Sequence, residues 1–133
     1  MRILFVALLG LGLAGPAAAQ MQTTAEVKPI LQITKGNWIA VREYDGQDLL
    51  YFTHLEVFRC GLEQIRYVIN EGKPSVWETP ACAGDETFSE IAADRLPYAV
   101  FPDKSVKSVR IELTYDDGTV ETESFERGAI MTP

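Results

Sequence analysis

The chain has 133 residues, of which 19 are acidic and 12 basic, and its formal net charge at pH 7 is −7. A surface with this excess of negative charge repels nucleic acids and anionic lipids, because such binding depends on neutralising phosphates with Lys and Arg. We therefore expect no nucleic-acid partner and no attachment to a membrane surface. The length fits one domain with a modest hydrophobic core.

The N-terminal residues have the three parts of an export signal. Arg2 supplies a positive charge, residues 3–15 form an apolar run, and Ala17 to Ala19 give the small-x-small pattern that signal peptidase cleaves. The apolar run is too short to cross a bilayer, which needs about 20 residues. We predict a signal peptide over residues 1–19 and a periplasmic or secreted mature protein that is not inserted in the membrane. An uncleaved N-terminal anchor is the alternative.

The first part of the mature chain is polar and mixed. Residues 20–36 include the breakers Pro29 and Gly36 and predict an N-terminal arm, followed by one domain over residues 37–133. Residues 37–44 are rich in aromatic and β-branched side chains and predict a first strand, with a turn at residues 45–48.

The next segment, residues 49–59, is apolar on both alternating faces. This pattern favours a central strand covered on two sides, although periodicity alone leaves a helix open. His54 would then lie on one face of the strand between Phe52 and Phe58. We expect it to be mostly buried and structural.

Two later segments alternate with the period of a strand. Residues 63–70 place Ile65, Tyr67 and Ile69 on one face, which predicts a strand with one side in the core. Residues 109–127 predict a hairpin, because Asp117 and Gly118 are a preferred pair for a type I′ turn.

A two-residue turn fixes the register of this hairpin. It would set Tyr115 opposite Val120 and Leu113 opposite Thr122. Glu121 and Glu123 would then lie on the solvent face of the sheet.

Cys60 and Cys82 are the two cysteines of the chain. In an oxidising compartment we expect them to form one structural disulfide. A redox catalyst would carry its cysteines close together as Cys-x-x-Cys, and these two are far apart in sequence.

Six or seven short strands with turn signals about every ten residues predict an all-β fold, an antiparallel β-sandwich of immunoglobulin-like type. Residues 65–74 (IRYVINEGKP) resemble a strand and turn of the immunoglobulin-like accessory domains attached to chitobiases and related glycosidases. The spacing from Asn70 to Pro74 departs from that motif. The resemblance implies a fold and no activity.

A wider resemblance covers most of the mature chain. Its segments are similar to those of a group of short exported proteins from alphaproteobacteria, over residues 36–38, 42–53, 59–62, 65–67, 96–98 and 115–118. The resemblance implies an exported compartment. Some members of the group carry an excinuclease label, but the phosphate-binding loop that a nucleotide-driven repair protein needs is absent from this sequence.

The sequence nominates no catalytic residue, cofactor or metal. His54 is the one histidine, so no histidine cluster can bind zinc, and no Gly-x-Ser-x-Gly or His-Glu-x-x-His motif occurs. The acidic pairs Asp45/Asp48 and Asp116/Asp117 fit ordinary turns better than calcium loops.

Two functions of different classes remain open. The first is a non-catalytic binding or assembly module that presents loops or a strand edge to an envelope protein or extracellular ligand. Trp77, Tyr98 and Phe101, aromatic residues beside prolines, are its candidate contacts. The second is a small hydrolase that uses dispersed carboxylates with His54. A concave pocket that gathers His54 with two or more acids would favour the hydrolase.

Overall fold

A computed structural model describes residues 15–82, 84 and 86–133, with side chains from residue 23 onward. The first 14 residues of the predicted signal peptide lie outside this range. The predicted cleavage point after Ala19 falls within the first helix. The described residues form helices and strands in this chain order: α1 (Gly15–Ile33), β1 (Ala40–Tyr44), β2 (Gln47–Tyr51), α2 (Thr53–Val57), β3 (Leu62–Ile69), β4 (Pro74–Val76), β5 (Tyr98–Pro102), β6 (Ser108–Tyr115), β7 (Val120–Glu126) and α3 (Arg127–Ile130).

The strands make two antiparallel sheets. The three-stranded sheet has the order β1-β2-β5 and the four-stranded sheet the order β4-β3-β6-β7. An immunoglobulin constant-type sandwich has the orders 1-2-5-4 and 3-6-7, so this chain differs only in the position of the fourth strand. The predicted all-β, immunoglobulin-like sandwich is confirmed.

One core lies between the sheets. The inner faces contribute mainly aliphatic side chains, and α2, α3 and the segments before β1 and β6 complete the cluster. Its least exposed members include Val41, Leu50, Phe52, Leu55, Ile65, Val106, Ile111 and Leu113. Because successive strand residues point to opposite faces, the alternate residues of both sheets form two outer surfaces.

The segment that we expected to be an arm is largely helix α1. Val27 and Leu31 of this helix are fully buried in the core cluster. Trp38 follows the helix, and its indole Nε1 donates a hydrogen bond to the Leu31 carbonyl at 2.8 Å. Gly61 packs so closely on α1 that an added Cβ would lie 2.6 Å from the Cβ of Val27. Within the described residues, no helix is long and apolar enough to cross a membrane.

The strand predicted over residues 49–59 is wrong after Tyr51. Strand β2 ends there, and residues 53–57 form the short helix α2. Phe52, Leu55 and Phe58 are buried at intervals of three residues, which is a helical rather than an alternating pattern. The chain crosses from one sheet to the other at this point, so it has no strand partner that could extend β2.

The hairpin forms, but its predicted register is wrong by one residue. Leu113 lies opposite Glu121 and Thr114 opposite Val120. The reason is a three-residue loop over residues 116–118, in which Gly118 has a φ of +84° and donates to the Tyr115 carbonyl at 2.9 Å. This is the hairpin loop that combines a type I turn with a left-handed residue.

The shift turns two glutamates toward the inner face. Glu121 accepts a hydrogen bond from the Tyr115 hydroxyl at 2.5 Å. Glu121 and Glu123 both pair with Lys35, at 3.5 and 3.2 Å. The side chains remain part-exposed at the border of the sheet, where these partners compensate their inward position.

Candidate functional site

Glu56 of α2 is a fully buried carboxylate with two side-chain donors. It accepts hydrogen bonds from Arg95, at 3.2 Å from Nε and 2.8 Å from Nη2, and from the Trp77 indole at 2.7 Å. Trp77 stacks on Phe52 with ring centroids 4.2 Å apart. The hydrogen bond to Glu56 raises the pKa of Arg95. These contacts join the two segments that cross between the sheets, residues 52–61 and 77–97.

The disulfide joins the same two crossovers. Cys60 and Cys82 are bonded, with Cα atoms 5.3 Å apart, as predicted. Ser89 adds two contacts: its N–H donates to the Val57 carbonyl at 2.7 Å, and its hydroxyl lies 3.0 Å from the Cys60 Sγ. A disulfide fits a protein that folds where thiols are oxidised.

Asp48 of β2 is a second buried carboxylate, and it does not lie in the turn where the sequence pattern put it. Arg127 donates from Nη1 at 2.6 Å and from Nη2 at 3.1 Å. The backbone N–H groups of Lys104 and Val106 donate at 3.1 and 3.0 Å. The hydrogen bond from Arg127, with these backbone donors, lowers the pKa of Asp48 to about 2. Asp48 is therefore ionised at neutral pH and holds β2, α3 and the β5–β6 loop together.

Asp48 also belongs to a cluster of three acids. The carboxylates of Glu43, Asp48 and Asp103 offer oxygen atoms within 4.8 Å of one another. Arg127 pairs with Glu43 at 2.7 Å, and Lys104 lies 3.7 Å from both Glu43 and Asp103. Two cations thus offset two of the three negative charges, and we assign the cluster as a structural ion-pair network.

The expectation of a mostly buried histidine on a strand is wrong, because His54 lies on the short helix α2 and is half-buried. Thr34 donates its hydroxyl hydrogen to the Ile30 carbonyl at 2.7 Å, and the His54 Nε2 lies 2.9 Å from the same oxygen. Because the hydroxyl has one hydrogen, Nε2 must carry the proton of the His54 contact. The Nδ1 atom is then an acceptor, and it makes no hydrogen bond among the described residues. Burial lowers the pKa of His54, which favours the neutral ring.

His54 lines an open cavity of about 540 Å³. We call it the His54 cavity. Its walls come from the segment before β1, from β1 and β2, from α2 and from the C-terminal residues: Asn37, Trp38, Ile39, Ala40, Arg42, Tyr51, Thr53, His54, Val57, Thr132 and Pro133. No Asp or Glu side chain is among these described lining residues. The volume lies in the range of small-molecule sites.

The cavity continues onto the outer surface of the three-stranded sheet. Register and alternation place nine residues there, which we call the tyrosine face: Ala40, Arg42, Tyr44, Gln47, Leu49, Tyr51, Tyr98, Val100 and Pro102. Tyr51 and Tyr98 pack with ring centroids 5.1 Å apart, while Tyr44 and Val100 are 56% and 49% exposed. Ala40, Arg42 and Tyr51 belong to both the face and the cavity.

The outer surface of the four-stranded sheet is different. Arg66 makes a double hydrogen bond with Glu112 at 3.2–3.3 Å, and Arg110 lies 3.8 Å from the same carboxylate. On the tyrosine face, by contrast, Arg42 is the one charged residue among nine. An exposed apolar and aromatic surface of this kind is typical of a binding site.

The three aromatic residues predicted as partner contacts lie in three settings. Tyr98 is on the tyrosine face beside Tyr51. Phe101 points inward from β5 and packs against the core. Trp77 holds the crossovers together through Glu56. The structure therefore brings only Tyr98 next to the His54 cavity.

Sequence reasoning missed the other residues of this site. Trp38, Arg42 and Tyr51 come from three separate segments, and no spacing in the sequence links them to His54. The alternation of Ala40, Arg42 and Tyr44 was a usable signal for one outer face. No family model, curated protein or solved structure matches the chain.

Proposed function

We propose that the mature protein is a periplasmic or secreted, non-catalytic binding module. It takes an apolar group of its ligand or envelope partner into the His54 cavity and contacts the remainder with the tyrosine face. One observation carries this proposal: the cavity combines His54 with aromatic and aliphatic walls and has no acidic side chain among its described lining residues. Concave apolar sites with a few polar groups are the usual form of ligand sites.

The same observation argues against the alternative hydrolase. A carboxylate mechanism needs acids within reach of the substrate, and an activated nucleophile needs a base beside it. The polar neighbour of His54 is Thr34, whose hydroxyl already donates to a backbone carbonyl. Glu56 and Asp48, the buried acids among the described residues, are instead held by arginines.

The proposal is tested with the neutral fluorescent probe N-phenyl-1-naphthylamine. We expect saturable binding to the mature protein, and we expect Thr53→Trp to abolish it, because Thr53 is an exposed wall residue and an indole there fills the cavity. Thr122→Trp is the matched control, since Thr122 is exposed on the other sheet. Equal binding by the Thr53→Trp variant, or none by the wild type, would contradict the proposal.

A further inference from the structure

Arg42 differs from most cations of this acidic chain. Many of the described basic residues pair with carboxylates: Lys28, Lys35, Arg66, Arg95, Lys104, Arg110 and Arg127. Arg42 forms no ion pair with any described residue. Arg59, Lys73 and Lys107 also pair with no described carboxylate, but none of the three lines the His54 cavity.

Arg42 belongs to both the His54 cavity and the tyrosine face. It is one of the residues that line the cavity, and its guanidinium carbon lies 4.8 Å from the centre of the Tyr44 ring, farther along the tyrosine face. Stacking on an aromatic ring leaves the in-plane N–H donors of a guanidinium free to bind an anion. The neighbours across the strands, Leu49 and Val100, are apolar and cannot neutralise it.

We propose that the His54 cavity binds a small amphipathic anion, with its apolar body in the cavity and its acidic group on Arg42. This assignment rests on the proposed function and adds the class of ligand. The cavity volume of about 540 Å³ suits a ligand of one or two rings or a medium acyl chain. A surface whose one charged side chain is an arginine without an ion pair among the described residues is complementary to such a molecule, whereas a cationic amphiphile would meet Arg42 as a like charge.

Two dyes that share a scaffold test the assignment. N-phenyl-1-naphthylamine is neutral, and 8-anilinonaphthalene-1-sulfonate adds an anionic group to the same ring system. We expect Arg42→Gln to weaken binding of the sulfonate by about tenfold or more, since a hydrogen bond to a charged group is lost. Binding of the neutral dye, which has no acidic group for the guanidinium, should be weakened much less than binding of the sulfonate. Arg42→Lys should recover part of the loss, and Arg110→Gln, on the other sheet, is the matched control.

Competition identifies the natural type of head group. Decanoate should displace the neutral dye, and decylamine, with the same chain length, should displace it much less. If both dyes bind and Arg42→Gln affects them equally or not at all, the anion assignment is overturned while the proposed function stands. If neither dye binds saturably, the proposed function falls and this assignment with it.

Discussion

Arg127 and Arg42 lie in opposite settings on the same sandwich. Arg127 donates two hydrogen bonds to the fully buried Asp48 and a third to Glu43. Arg42 is exposed, is one of the residues that line the His54 cavity, and pairs with no described carboxylate. Removing one partner of a buried pair leaves an uncompensated charge, so the role of Arg127 is structural. An arginine without a carboxylate contributes little to stability and can serve a ligand.

Among the substitutions that test this contrast, we expect Asp48→Asn to cause the largest loss of stability. We expect it to lower the free energy of unfolding by about 3–5 kcal/mol, because Arg127 then faces a neutral group and two backbone donors share one acceptor oxygen. Urea unfolding measures the effect. Asp45→Asn is the control, since Asp45 is exposed and its positive φ suits Asn. Similar small losses in both variants would show that the pair is not structural.

Glu56→Gln tests whether Arg95, which also pairs with a buried carboxylate, has a structural role like that of Arg127. The amide oxygen of the introduced glutamine can still accept hydrogen bonds from Trp77 and the Arg95 Nη2, which share one oxygen of Glu56. The amide NH2 replaces the oxygen that accepts from the Arg95 Nε, so the change removes that hydrogen bond and the charge of the acceptor. We expect a loss of about 1.5–3 kcal/mol in unfolding free energy, the range for hydrogen bonds to charged groups. The exposed Glu63→Gln is the control, with a change within about 0.5 kcal/mol. If Glu56→Gln and Glu63→Gln lost the same small amount of stability, Arg95 would resemble Arg42 in contributing little to the fold.

Acid should weaken the stabilisation that the fold gains from the pair of Asp48 and Arg127. The pKa of Asp48 is lowered to about 2 in the folded protein, from an ordinary value of 3.8. A lowered pKa means that the stabilisation is present above about pH 4 and is lost as the pH falls towards 2. We expect the stability gap between wild type and Asp48→Asn to narrow by about 2 kcal/mol over that interval. A gap that stays constant from pH 5 to pH 2 would contradict this.

The smallest effect is expected for Arg42→Gln. Its unfolding free energy should stay within about 0.5 kcal/mol of the wild type, because the side chain is exposed and has no ion pair among the described residues. Thermal melting of this variant beside Arg127→Gln compares the two settings directly. A clear loss for Arg42→Gln would mean that it supports the fold, and the contrast between the two arginines would disappear.

The sequence predicted the sandwich and its disulfide because both depend on local signals. Alternation identified β3, and the cysteine count together with the predicted export signal identified the bond between Cys60 and Cys82. The prediction of a strand over residues 49–59 failed because an apolar run is compatible with either a strand or a buried helix. The sheet ends at Tyr51 for lack of a partner strand, and this is information that the run itself does not contain.

The candidate site was less accessible to sequence reasoning. Arg42, Tyr51 and His54 meet through the pairing of β1 with β2 and the position of α2, which are tertiary features. The role of Asp48 was hidden for the same reason, because its arginine partner is 79 residues away. The aromatic side chains of Trp77 and Phe101 were visible, but residue type alone does not separate a packing role from a contact with a ligand.

The inward turn of Glu121 and Glu123 has a consequence for how the protein behaves in crowded solution. Strand β7 is the last strand of its sheet, and its outer edge has no strand partner among the described residues. At an edge, the two carboxylates reach Lys35 and water around the border of the sheet. A strand from another molecule that added to β7 would enclose both charges at the cost of their desolvation. The three-residue loop at Gly118, by setting this register, therefore also limits the growth of the sheet into aggregates.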